Sequence, residues 1–145
     1  MKAKNLVKLS FYSRSVNEGF ARGALAVFLA QADPTVPELA DVKTAVSEAV
    51  TNCIVHAYPG GVGLVHMSVA LYDGGKIKIT ITDKGVGIAD VEKAMQPMFT
   101  TGNPEERAGL GFAVMEEMMD RVRVKSQVGK GTTVTLDKKL TTRGE

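Results

Sequence analysis

Hydrophobic and polar residues along this chain alternate with two different periods, and the switches between them mark the elements. Val7, Leu9 and Phe11 alternate with polar neighbours, which predicts a first strand. Ser15 with Glu18 has capping-box spacing, and Phe20, Ala24, Val27, Phe28 and Gln31 follow at helical spacing. The segment Asp33-Pro34-Thr35-Val36-Pro37 ends that helix. Thr35 with Glu38 is a second capping box, with Pro37 tolerated in the first turn. Leu39, Val42, Val46, Ala49, Val50, Cys53 and Ala57 then make the apolar stripe of a long second helix, stopped by Tyr58-Pro59-Gly60-Gly61. A hairpin follows. Val65, Met67, Val69 and Leu71 alternate, Asp73-Gly74-Gly75 turns, and Ile77, Ile79 and Ile81 alternate back. A short helix is predicted within Ala89–Met98, and Phe99–Pro104 reads as a mobile loop. A third main helix is expected from about Gly109 to Arg121, then a hairpin of Val122–Ser126 and Thr133–Leu136 around Gly129-Lys130-Gly131. Hairpin-paired strands with three amphipathic helices predict an α/β sandwich: a mixed, mostly antiparallel sheet with the helices on one face.

Composition narrows the function. The 145 residues suit one domain over residues 1–145. With no Trp, the core must rest on aliphatic residues and Met. A net charge of +2 and the lack of a basic arm argue against direct nucleic-acid binding. Cys53 is the one cysteine, so no intramolecular disulfide can form and no Cys/His metal cluster is present. No long apolar run follows the basic N-terminus, so neither export nor membrane spanning is expected, and a cytoplasmic location fits.

Four local patterns carry chemistry. Glu48, Asn52 and His56 are spaced by four, which puts them on one face of the second helix beside its apolar stripe. Asp83 shares the parity of the isoleucines before it, so its carboxylate points to the core side, a costly place for an acid without a task. It opens Asp83-Lys84-Gly85-Val86-Gly87-Ile88, where two glycines let backbone approach a flat ligand. Gly109-Leu110-Gly111-Phe112, read as a helix start, offers free N–H groups to phosphate. Gly129-Lys130-Gly131-Thr132-Thr133 is a turn followed by threonines. Each has a plain reading too: a polar helix edge, an Asp-stabilised turn, a flexible helix start, a simple hairpin.

Taken in order, these patterns resemble the GHKL (Bergerat-fold) ATPase and kinase superfamily, with Glu48 and Asn52 matching its N box, Asp83, Gly85, Gly87 and Ile88 its first glycine box, and Gly109 and Gly111 its second. Phe20-Ala21-Arg22, Asp33-Pro34-Thr35, Ser47–Asn52, Gln96–Thr101 and Glu106–Phe112 further resemble the anti-sigma F family of spore-forming bacteria over nearly the whole chain. The resemblance implies a dimeric protein serine/threonine kinase that uses Mg²⁺ with ATP or ADP, inhibits a sporulation sigma factor and phosphorylates a serine of an anti-anti-sigma factor. It assigns Glu48 as general base and Asn52 as Mg²⁺ ligand. Asp83 would read the adenine amine, with Gly85, Gly87, Ile88 and Thr133 near it. Thr100, Thr101, Arg107, Gly109, Leu110, Gly111 and Phe112 would form the phosphate side, and Arg22 the partner surface. For Arg22 a simple i,i+4 bridge to Glu18 is the plain alternative. A general-stress-type anti-sigma kinase, and a sigma-binding module without turnover, remain open alternatives.

Overall fold

The computed structural model describes residues 2–95 and 104–141, and side chains for all of these except 104–110. In chain order its elements are β1 (Asn5–Tyr12), α1 (Val16–Leu29), α2 (Val36–Asn52), β2 (Leu64–Leu71), β3 (Lys76–Asp83), α3 (Val91–Met95), α4 (Pro104–Met118), β4 (Arg121–Gln127) and β5 (Gly131–Lys139). The strands form a single sheet in the order β1-β2-β3-β5-β4. The expected sandwich is present, and every strand pairing among the described residues is antiparallel.

Strict alternation explains the register. Val65, Met67, Val69 and Leu71 on β2 and Ile77, Ile79 and Ile81 on β3 are all buried against the helices, because period-2 side chains share one face. Val134 and Leu136 of β5 complete that face, paired with Ile81 and Ile79. From the other layer come Val42, Val46, Ala49 and Val50 of α2, and Phe112 and Met115 of α4.

The start of α2 follows its sequence signal. Thr35 has extended backbone and accepts from the Glu38 N–H at 3.2 Å, while Glu38 accepts from the Thr35 N–H at 2.8 Å. The second Glu38 oxygen accepts from the Thr141 N–H at 2.6 Å, tying the C-terminal end of the sheet to this cap. Burial opposes the charge of Glu38, but these donors outweigh it and hold the carboxyl down at about 2. Thr35→Ala is expected to lower stability by about 1 kcal/mol in urea unfolding. A folded-state pKa below the unfolded one gives stability that is present above the unfolded value. That stability is lost as pH falls through the folded value, so the native protein should weaken in acid more steeply than Glu38→Gln.

Three expectations need correction. Ser15 forms no side-chain cap: its backbone is already helical (φ −57°, ψ −31°), which carries Oγ away from the N–H groups of the first turn. The buried stripe of α1 is Ala21, Leu25 and Leu29, whereas Phe20 and Val27 are 56% and 79% exposed. That stripe is rotated by one residue from the one predicted, because the two leucines fill the core better than a partial stripe with Phe20. Phe20 instead lies edge-on to Phe11, with ring centroids 6.3 Å apart. Finally, α4 begins at Pro104, where a missing N–H suits the first position, and ends at Met118. Gly109–Gly111 therefore lie inside that helix rather than at its start.

Candidate functional site

A narrow cleft opens where the C-terminal part of α2 faces the end of β3. Beyond Asn52 the helix widens into a π-turn over Cys53–Ala57, a deviation that commonly accompanies function. The cleft floor is the Asp83 carboxylate, 6% exposed on the last position of β3. One oxygen accepts from the Gly85 N–H at 2.9 Å and the other from the Cys53 thiol at 3.4 Å. Burial, then the Asp83 charge, pushes the Cys53 thiol far up, so it stays a protonated donor. Cys53 is thus more than the small buried hydrophobe its sequence position suggests.

The glycines serve close approach. Gly87 has φ +78°, and a side chain there would run into the Gln127 carbonyl. Gly85 has no room for one because the Ala57 carbonyl lies against it. Ile88 and the fully buried Phe112 wall the cleft, which encloses about 50 Å³. Ligand sites usually offer roughly 300 Å³ or more, so the cleft is closed down in this conformation.

Glu48 and Asn52 meet on the backbone of α4. A methyl group added at Gly111 would lie 3.3 Å from both ends of the Asn52 amide and 3.3 Å from Glu48 Oε2. The Asn52 Nδ2 is buried with no hydrogen-bond partner, an unusual state for a polar atom in a native fold. Burial first, and the charge of Glu18 second, raise the Glu48 carboxyl above the ordinary range. Gly111→Ala should push these two heads apart by a few tenths of an ångström. The expected result is weaker nucleotide binding by calorimetry with a thermal midpoint close to native; a full-strength binder would rule out the contact as important.

The comparisons with known proteins agree with one another. A family model for the histidine kinase-like ATPase domain matches residues 13–138. The anti-sigma F factor of Caldanaerobacter subterraneus is 54% identical over 138 residues, covering 95% of this chain and 96% of that protein. The chain belongs to the anti-sigma F factor family. Another member, from Geobacillus stearothermophilus, is 52% identical over 136 residues, covering 93% of this chain and 92% of the relative. In fold, the crystal structure of the RsbU and RsbW domains of a Mycobacterium tuberculosis protein superposes with a TM-score of 0.70 at 22% identity, over 94% of this chain and 33% of that one.

For this anti-sigma F family member, the cleft gathers Glu48, Asn52, Asp83, Gly85, Gly87, Ile88, Gly111 and Phe112. It leaves out Thr133, whose hydroxyl pairs with Thr82 at 3.3 Å on the far face of the sheet. Thr132 lines the cleft instead, opposite Asp83 in the register. Its parity with Val134 and Leu136 is the signal that identifies it. His56 and Cys53 also line the cleft. Thr100 and Thr101 lie outside the described residues, and Arg107, Gly109 and Leu110 belong to the first part of α4, whose side chains are not described. A helix leaves N–H groups free only over its first four positions, so Gly109–Gly111 cannot offer theirs to phosphate while α4 begins at Pro104. Arg22 sits on α1, with Nη1 3.2 Å from Glu18 Oε1. The plain i,i+4 bridge is therefore formed. No helix among the described residues is long and apolar enough to cross a membrane.

The amide oxygen of Asn52 suits Mg²⁺, which takes few protein ligands and completes its shell with phosphates and water. Among the described residues no group of three or more His, Cys, Asp or Glu side chains could hold a metal alone. The Asn52 atom left without a partner is the donor Nδ2, which fits an acceptor such as a phosphate oxygen, while a metal would take the amide oxygen of the same side chain.

Proposed function

We propose that this single-domain chain binds Mg·ATP or Mg·ADP in the cleft between α2 and β3, phosphorylates a serine of an anti-anti-sigma factor, and holds a sporulation sigma factor inactive. The observation that carries the reading is the convergence of Glu48 Oε2 and the unpartnered Asn52 amide on Gly111, beside the buried Asp83. Asp83, fixed by Gly85 and Cys53, accepts from the exocyclic amine of adenine. Ile88 and Gly87 take the base against their backbone side, with Thr132 across from them. Asn52 gives its amide oxygen to Mg²⁺. ATP supplies the phosphoryl group and, with Mg²⁺, most of the charge neutralisation. Glu48 takes the proton of the attacking serine hydroxyl, and its raised pKa brings it nearer to working pH.

The small cleft volume supports an opening step. Before nucleotide can enter, Phe112 and the start of α4 must move away from α2. Opening the first turns of α4 frees the N–H groups of Gly109, Leu110 and Gly111 for phosphate, the role to which the family resemblance also assigns Thr100, Thr101 and Arg107. The protein works in the cytoplasm as a homodimer. Strand β1 is an edge whose Leu6 and Tyr12 are 48% and 58% exposed, which suits pairing with a second copy.

Calorimetry of Mg·ATP binding to the native chain and to Asn52→Ala, with labelled phosphoryl transfer to the partner, tests the reading. The variant should bind Mg·ATP on the order of 10-fold or more weakly, as loss of a metal ligand predicts. Native protein that takes up no Mg·ATP would refute the site. Tight binding without any transfer would leave a sigma-binding module and remove the kinase.

A further inference from the structure

At the opposite end of β3 from Asp83, the sheet carries a second concave feature. Lys76, Lys78, Arg121, Arg123 and Lys139 crowd a cavity of about 390 Å³, far larger than the nucleotide cleft. The eight-residue strand puts the two features roughly 20 Å apart. Because Ile77, Ile79 and Ile81 face the core, Lys76 and Lys78 project from the helix-free face.

Register decides how these charges meet. Lys76 stands directly opposite Lys139, a like-charged cross-strand pair that disfavours the fold by itself. Asp137 lies between Lys78 on one side and Arg121 on the other. Its carboxylate is taken by Arg123 Nη2 at 2.8 Å. The second carboxylate, Asp120, accepts from the backbone N–H of Lys139 at 2.8 Å. Among the described residues Lys76, Lys78, Arg121 and Lys139 form no ion pair. Arg123 Nε is buried without a hydrogen-bond partner even though the other end of the guanidinium is paired. Lys78 Nζ lies 6.0 Å from the centroid of the Tyr72 ring, at the rim of the same cavity.

A lysine-rich face can simply keep the exposed β4 edge from pairing with another sheet. That reading explains Lys125 and Arg121 on the strand itself. It does not explain why the excess collects in a concavity lined by six bases, of which Lys138 donates to the Met118 carbonyl at 2.8 Å, against two occupied carboxylates in a chain whose whole net charge is +2. A planar guanidinium beside point-charge ammonium groups suits phosphate oxygens. Opposed Lys76 and Lys139, with Lys78 and Arg121 one row on, suit more than one phosphate at once. The geometry points to a second, separate anion site for a small ligand that carries two or more adjacent phosphates.

Inorganic tripolyphosphate is the probe, titrated by calorimetry into the full-length chain in Mg-free buffer near physiological salt. Native protein should bind it at least about 10-fold more tightly than orthophosphate, because one phosphate engages fewer of the cations. The double variant Lys76→Ala/Lys139→Ala should lose at least about 10-fold in affinity, and Asn52→Ala should lose nothing. Thermal melts read folding: removing a like-charged pair should leave the midpoint at or above native, and bound tripolyphosphate should raise it for native but not for the double variant. Should the double variant fail to fold, Lys139→Gln alone must show the affinity loss. Binding lost in Asn52→Ala but kept in the double variant assigns the heat to the nucleotide cleft and overturns the proposal. So does the absence of measurable binding. Displacement of tripolyphosphate by short duplex DNA makes the face a nucleic-acid surface and overturns the small-ligand assignment.

Discussion

Glu48→Gln should bind Mg·ATP as the native protein does and phosphorylate the anti-anti-sigma partner on the order of 10²-fold or more slowly, the usual scale for a general base. Glutamine keeps the shape beside Gly111 and Asn52, so the cleft is preserved, and only the proton acceptor is lost. The same change should raise the thermal midpoint at neutral pH. Glu48 has a folded-state pKa above its ordinary value, so the folded chain holds this proton more tightly than the unfolded chain. Stability from that proton is present below the unfolded pKa and lost as pH rises through the folded one. At pH 7 the carboxylate is therefore held at a cost, and the amide removes it. Glu18 is the second cause of the shift, so Glu18→Gln should move the acid limb of the phosphorylation rate to lower pH. Transfer rates for Glu48→Gln equal to native would exclude this residue as the base, and an unmoved limb in Glu18→Gln would exclude the coupling.

Arg22→Glu should abolish capture of the sigma factor while leaving Mg·ATP affinity at the native level. Arg22 lies on α1 with its side chain 45% exposed. A charge reversal at a docking centre costs several kcal/mol through repulsion, roughly 10²-fold or more in affinity. Within the helix it also turns an attractive i,i+4 pair with Glu18 into a repulsive one, a loss of about 0.5–1 kcal/mol that a denaturation curve will register. Two controls separate these effects. Glu18→Gln breaks the same bridge and keeps the arginine, so it should retain sigma-factor binding. Arg22→Gln removes the charge without repulsion and should fall between native and Arg22→Glu. If surface-plasmon binding of ATP-loaded Arg22→Glu matches native, Arg22 serves only its helix and the partner surface lies elsewhere.

What could be read from the residues alone was whatever depends on local period and local chemistry. Alternation over Val65–Leu71 and Ile77–Ile81 determines both strands and the inward face of each, because a side chain on a strand can only point to one of two sides. The same parity determines that Asp83 is buried, and the four-residue steps determine that Glu48 and Asn52 share a helix face. The Thr35–Glu38 box is equally local, since both of its bonds close within one turn. Tertiary structure decided everything that rests on how distant segments align. Thr132 rather than Thr133 reaches the cleft because β5 pairs with β3 in a register that puts it opposite Asp83. Which stripe of α1 is buried depended on the core that Leu25 and Leu29 could fill, and no spacing rule ranks them above Phe20. Ser15 met the pattern for a cap and failed it because its own backbone had already entered the helix. The Cys53 thiol on Asp83 and the lysines opposed on β3 and β5 arise from pairing across 30 and 63 positions of chain, where sequence carries residue type but no geometry.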